Sequence, residues 1–282
     1  MSASTELSLE VHEALARYLD EHLELPVLPE AAARILSLCE DPETESQDIV
    51  AALERDPSLA SHVLRLANSA VFAPVEPIVS LKQAVGRLGM TMIRNLSIAV
   101  TLQGRVFCSR QHEEHTRAMW AHCALTAVFA REVARRLRRN GEVAFLWGLM
   151  HDVGRPIVFQ AAVERPELLG CDPAGGALLE AAMDTFHARV GARLVHAWGL
   201  PYPIEVVVAC HHEPSAASEY APDARLTRLA DLLAHWALED ALEPEDFPRD
   251  EPVVVELGLG EEALSELLAL RQQAIGYALS LR

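Results

Sequence analysis

The chain has 282 residues, half of them hydrophobic and 23% charged, a globular composition that excludes a disordered or collagen-like polymer. Its formal net charge is −17, from 41 acidic against 24 basic residues. A field of that sign repels DNA, RNA and anionic lipid, so neither nucleic acid nor a membrane is an expected partner. At ~100–200 residues per domain the length allows one large domain or two packed ones, and a chain this long buries roughly three-quarters of its unfolded surface. Such a core needs no staple, so any metal site is expected to serve function. Five scattered cysteines, Cys39, Cys108, Cys123, Cys171 and Cys210, with no CxxC spacing, indicate neither a disulfide framework nor a zinc ribbon. The start, MSASTELSLEVHEAL, lacks the basic and apolar regions of a signal peptide. No apolar run approaches the ~20 residues that span a bilayer. These features read as a soluble cytoplasmic protein.

Nearly every segment carries a helical period. Residues 7–24 place Leu7, Val11, Ala14 and Leu15 on one face. Leu25–Pro29 is a turn, and a helix resumes over Glu30–Leu38 until Asp41-Pro42 stops it. Asp56-Pro57 opens another, with aspartate as cap and proline in the first position. Ser80 and Gln83 have capping-box spacing, and they open a long apolar segment in which Gly86 and Gly89 mark a break or a close backbone approach. Further helices are predicted at 113–139, 142–151, 176–198, 203–212 and 225–240. The tail carries a Pro-rich linker, a strand at Val253–Leu257 and a final helix at 261–280. The class is all-α. It divides as an N-terminal helical half (1–110), a second helical half (111–242) and a C-terminal tail (243–282).

Histidines and aspartates on apolar helix faces mark the second half. His122 has Leu125 and Phe129 at i+3 and i+7; His187 shares a face with Met183, Val190 and Leu194; Asp231 shares one with Thr227, Ala234 and Leu238. His151-Asp152 ends one helix before Gly154 and Pro156, and His211-His212 ends another before Pro214. Buried titratable groups without partners cost several kcal/mol apiece. A pair of divalent cations, iron, manganese, zinc or nickel, would satisfy imidazoles and carboxylates together and would generate hydroxide while clamping a phosphate. Each residue alone also fits a hydrogen-bonded core position or, for His211-His212, favourable charge at a helix C-terminus.

The string from LPVLPEAAARILSLCEDPETES through DPSLASHVLRLANSA to SLKQAVGRLG, followed by WAHC, FLWGLMHDVGR, FHARVGARLVHAWGLP and ACHHEP, resembles the HDOD domain. This is a bacterial signalling output domain related to the HD-superfamily metal-dependent hydrolases. The resemblance covers roughly residues 20–240. It implies an all-α N-terminal bundle packed on an HD-type helical domain, and a role in signal transduction. By comparison with the related HD-GYP phosphodiesterases, His122, His151 and Asp231 would hold one ion. His187, His211 and His212 would hold the other, with Asp152 bridging them. The lysine of that family's HDxGK motif is Arg155 here, which keeps the charge but not the geometry. No GYP motif follows His212, a departure that counts against cyclic-di-GMP hydrolysis.

The run REVARRLRRN at 131–140 reads as a solvated helix end or as an anion- or partner-docking patch. Asn68 and Ser69 read as interhelical hydrogen-bonding groups, and the four tryptophans as packing. The expectation is a signal-transduction protein without a fused sensor, acting on a signalling partner or on a nucleotide or phosphate ligand, with two divalent cations. The alternatives are a metal-dependent phosphohydrolase, in which Asp152 and Arg155 are catalytic, and a metal or redox sensor using the same ligands.

Overall fold

The computed structural model describes residues 7–69, 74, 76–109, 111–169 and 176–281; Cys171 lies outside them. Among the described residues no strand is present. The α-helices are α1 (Leu9–Glu21), α2 (Glu30–Glu40), α3 (Ser46–Leu53), α4 (Pro57–Ala67), α5 (Leu81–Leu88), α6 (Met90–Arg105), α7 (Glu113–Arg136) and α8 (Gly141–Met150). They continue as α9 (Gly154–Glu164), α10 (Ala177–Ala197), α11 (Tyr202–Cys210), α12 (Ala221–Leu238), α13 (Pro252–Glu256), α14 (Glu261–Ala269) and α15 (Arg271–Ser280). None is long and apolar enough to cross a membrane.

Several helix ends follow from local chemistry. The Asp56 side chain accepts from the Leu59 N–H at 3.0 Å, with Pro57 in the first helical position. Ser80 and Gln83 close their capping box. Gly89, at φ 79°, separates α5 from α6 in a conformation that glycine adopts without strain. Open space surrounds Gly86, which therefore marks no close approach.

Other expectations are corrected. Gly154 and Pro156 stand in the first turn of α9, where proline's missing N–H costs no intrahelical bond, so they begin a helix as well as end one. The strand expected at Val253–Leu257 is a short helix, α13, which starts at Pro252 and buries Val253 and Val254. The single final helix is two, α14 and α15: the Leu270 N–H bonds to Leu267 O, a tightened turn between them. Capping by Glu45 and Asp48 opens α3, which the apolar pattern does not announce.

The chain forms two compact units, Met1–Pro26 with Met150–Ala224, and Val27–Leu149 with Arg225–Arg282. In the second, α2 packs on α6, α3 and α4 on α5, and α7 against α14 and α15. Helix α7 is buried along most of its length, from Trp120 through Phe129 to Ala134. The arginine run at its end is not uniformly solvated. Arg131 is buried, donates to Tyr277 Oη at 3.0 Å and lies 4.4 Å from that ring's centroid, a cation–π contact that ties α15 to α7. Asn95, also buried, donates to Glu142 O at 2.8 Å.

In the first unit α10 is central, packing on α9, α11 and α1. Phe186, Val190 and Leu194 of α10, Val207 and Val208 of α11, and Leu15 and Leu19 of α1 are buried. Arg189 pairs with Asp20 at 3.4 Å, and Trp198 Nε1 donates to Pro26 O at 2.7 Å. The tightest packing is backbone on backbone. A Cβ built on Gly154 collides with the carbonyl oxygen of His187 and comes within 2.7 Å of Gly191 N; one built on Gly191 meets Val208 Cγ1 at 2.9 Å. Gly154→Ala is expected to cost about 3 kcal/mol, the upper range for overpacking, because a carbonyl cannot give way as a side-chain tip can. Urea unfolding of the variant checks this; a loss below about 1 kcal/mol would contradict so close an approach.

Candidate metal centre

The close approach of α9 and α10 places Asp152 beside His187. Asp152 precedes α9; His187 lies in the middle of α10; His211 caps the C-terminus of α11 and His212 follows it. His187 Nε2 is 3.1 Å from Asp152 Oδ1, 3.3 Å from His211 Nε2 and 3.0 Å from His212 Nε2. His211 Nε2 is 3.5 Å from the same Asp152 oxygen. Asp152, His187 and His211 are buried and His212 is exposed, so the cluster opens to solvent on one side. His151 is fully buried, with Nε2 3.6 Å from Asp152 Oδ2 and its ring edge-on to His211.

The other ring nitrogens fix the proton positions. His187 Nδ1 donates to Met183 O at 2.7 Å, and His211 Nδ1 donates to Val208 O at 2.8 Å. A carbonyl only accepts, so in the neutral rings the proton sits on Nδ1 and Nε2 presents a lone pair. Burial is the largest influence on His187 and outweighs the attraction of Asp152, lowering its pKa to about 4. Two imidazole lone pairs thus converge on a carboxylate oxygen. Donors ~2.0–2.1 Å from a shared ion stand roughly 2.9–3.4 Å apart at octahedral or tetrahedral angles; the three distances from His187 Nε2 fall in that range, and all four donors lie within 4.8 Å of one another. Imidazole and carboxylate donors with carbonyl-oriented rings fit a divalent transition-metal ion.

The second unit carries a cluster of its own. His122 Nε2 lies 3.1 Å from Asp231 Oδ1, and His235 Nε2 is 3.2 Å from the same oxygen. The two rings lie 4.3 Å apart between centroids, tilted by 39°. Asp231 Oδ2 accepts from Arg228 at 2.6 Å. His122 and Asp231 are buried, His235 exposed. Sequence reasoning missed His235. Its signal was the i+4 spacing from Asp231, which puts both on one face of α12.

Arg155, the residue at the HDxGK lysine position, is engaged by acids. Its Nη1 donates to Asp184 Oδ1 at 2.7 Å and Nη2 to Glu180 Oε2 at 3.1 Å, while Nε is 3.9 Å from Asp152 Oδ2. Burial disfavours its charge, but Asp152, Asp184 and Glu180 together outweigh that and raise its pKa.

Comparison with known proteins agrees with this architecture. The family profile for the HDOD domain matches residues 25–214. A Treponema pallidum protein described as uncharacterized is 28% identical over 253 residues, covering 86% of this chain and 48% of that protein. The chain thus spans about half the length of this curated relative. Among solved structures, a Shewanella amazonensis protein provisionally named a phosphohydrolase superposes with a TM-score of 0.72 at 24% identity, over 95% of this chain and 98% of that one. At that identity the likeness speaks for the fold alone. A Marinobacter aquaeolei protein provisionally named a signal transduction protein gives 0.70 at 25% identity, over 96% of this chain and 65% of that one.

The hydrogen bonds to Met183 and Val208 have a direct spectroscopic consequence. Long-range ¹H–¹⁵N spectra of metal-free protein at neutral pH are expected to show His187 and His211 as Nδ1–H tautomers. An Nε2–H tautomer at either ring would contradict the convergence of lone pairs on Asp152.

Proposed function

This chain belongs to the HDOD family, and we propose that it is a signal-transduction protein that acts by binding a partner protein or a small ligand, with a divalent cation at each of its two His/Asp clusters. Asp152, His187, His211 and His212 would hold one ion; His122 and Asp231 would hold the other. The observation that carries this reading is the meeting of the His187 and His211 lone pairs on Asp152 Oδ1. Such an arrangement is repulsive by itself and attractive around a cation.

This chain's residues also prepare the site in ways that do not depend on turnover. The carbonyls of Met183 and Val208 hold both rings in the ligating tautomer. Burial keeps His187 neutral, so binding need not displace a proton from it above about pH 5. The exposed edge of His212 leaves an approach for a ligand. A bound ion would supply Lewis acidity and an attachment point for an anionic group.

A second reading, metal-dependent phosphohydrolysis, is favoured by one observation. Arg155 places a guanidinium 3.9 Å from Asp152, beside the cluster, where a charged donor for a phosphate would stand. Elemental mass spectrometry, on protein purified without an affinity metal or chelator, tests the cation reading. It is expected to find about two ions per chain, one lost in His187→Ala and the other in Asp231→Ala. Folded protein that stays empty after anaerobic loading with iron or manganese would remove both the cation and the hydrolase readings. Loaded protein should leave bis(p-nitrophenyl) phosphate intact if it only signals; turnover that disappears in Asp152→Ala would establish the hydrolase.

A further inference from the structure

The guanidinium of Arg155 faces carboxylates from every nitrogen it has. Asp184 takes Nη1, Glu180 takes Nη2, and Nε points toward Asp152. A bidentate grip on a phosphate uses two adjacent guanidinium nitrogens, and both terminal ones are already occupied. Glu180, Asp184 and His187 follow at i, i+4 and i+7 on α10, so one helix face carries both the acids and a ligand of the cluster. The close contact of Gly154 with the His187 carbonyl is what brings Arg155, the next residue, within reach of that face.

The three acids are not equivalent. The Asp152 side chain is 10% exposed, whereas those of Glu180 and Asp184 are 56% and 66% exposed. Ion pairs to solvent-exposed carboxylates are weak and readily exchanged. Those to Glu180 and Asp184 can therefore be broken by a competing anion, without disturbing Asp152.

We infer that Glu180 and Asp184 form an acidic latch on Arg155, one that withholds the guanidinium from a phosphate-bearing ligand until that ligand displaces them. The latch rests on the proposed reading of the cluster as a cation site open to an anionic ligand. It makes the site discriminating: an anion attracted only by the cation meets a neutralised arginine, and one with enough charge to part the latch gains a second anchor.

Two measurements test it. The first needs no metal: phenylglyoxal labelling of Arg155, followed by peptide mass mapping, is expected to be several-fold faster in E180Q/D184N than in the natural chain. The second is calorimetric titration of manganese-loaded protein with inorganic phosphate. Phosphate should bind roughly three- to tenfold more tightly to E180Q/D184N, and the gain should vanish when R155Q is added. Unchanged labelling overturns the latch. So does unchanged phosphate affinity at full manganese content, and so does a gain that persists with R155Q, which would be a general effect of removing two negative charges. If the natural chain retains no manganese, the cation reading fails separately, and the labelling rate decides the latch on its own.

Discussion

Backbone contact between α9 and α10, made through Gly154 and Gly191, governs the site in its unit. Asp152 and Arg155 flank Gly154, and His187 is the residue whose carbonyl Gly154 touches. Any side chain at Gly154 would push the helices apart, by more than the margin that separates a 3.1 Å carboxylate–imidazole contact from none. The same contact carries Arg155 to Glu180 and Asp184. A single close approach thereby places Asp152, His187 and the guanidinium beside them. It also explains a GxP sequence at the start of a helix: the glycine is required by the neighbouring backbone, and the proline is tolerated because the first turn has no intrahelical N–H bond to lose.

The electrostatics of the two clusters follow one logic. Each centres on a single buried carboxylate oxygen that faces two imidazoles: Asp152 Oδ1 with His187 and His211, and Asp231 Oδ1 with His122 and His235. Each aspartate is also approached by an arginine through its second oxygen, Arg155 in one case and Arg228 in the other. Each arginine sets a positive charge beside a buried carboxylate, which offsets part of the cost of burying it. The guanidinium groups beside the clusters, those of Arg155 and Arg228, are already paired with acids. An anionic ligand therefore meets few uncommitted cations of the protein's own there, which makes bound metal the natural source of positive charge in the reading advanced above.

The C-terminal helices show how a charged side chain is used structurally. Arg131 belongs to a run that looks like a solvated helix end, yet α7 turns it inward against Tyr277 of α15. Arg135 in the same run is half exposed and pairs with Glu132. Both arginines lie on one side of α7, a turn apart; what differs is the partner, since Tyr277 engages Arg131 while Arg135 turns to Glu132. Arg271 of α15 makes a comparable anchor, stacking 4.8 Å from the Trp236 ring and donating to the carbonyls of Ala237, Glu239 and Leu242.

Much of this is local, and what is local was legible in the residues. Helical periodicity, the caps at Asp56 and Ser80, the break at Gly89 and the inward faces of His122, His187 and Asp231 depend only on neighbours within a turn or two. Resemblance to the HDOD domain named the histidines and aspartates that the structure gathers into clusters. Three valines in a row read as a strand because β-branching favours one, but burial of Val253 and Val254 beside a Pro252 start made a helix of them. His235 was missed because an exposed histidine reads as solvated, although its i+4 spacing put it on the face of Asp231, and the fate of Arg155 was invisible because its partners lie 25 and 29 residues away. By itself the sequence determined which segments are helical and which faces they bury, since those are set by spacing along one chain. Only the tertiary structure decided which lone pairs meet on Asp152 and which acids hold Arg155, since those depend on how closely two backbones approach.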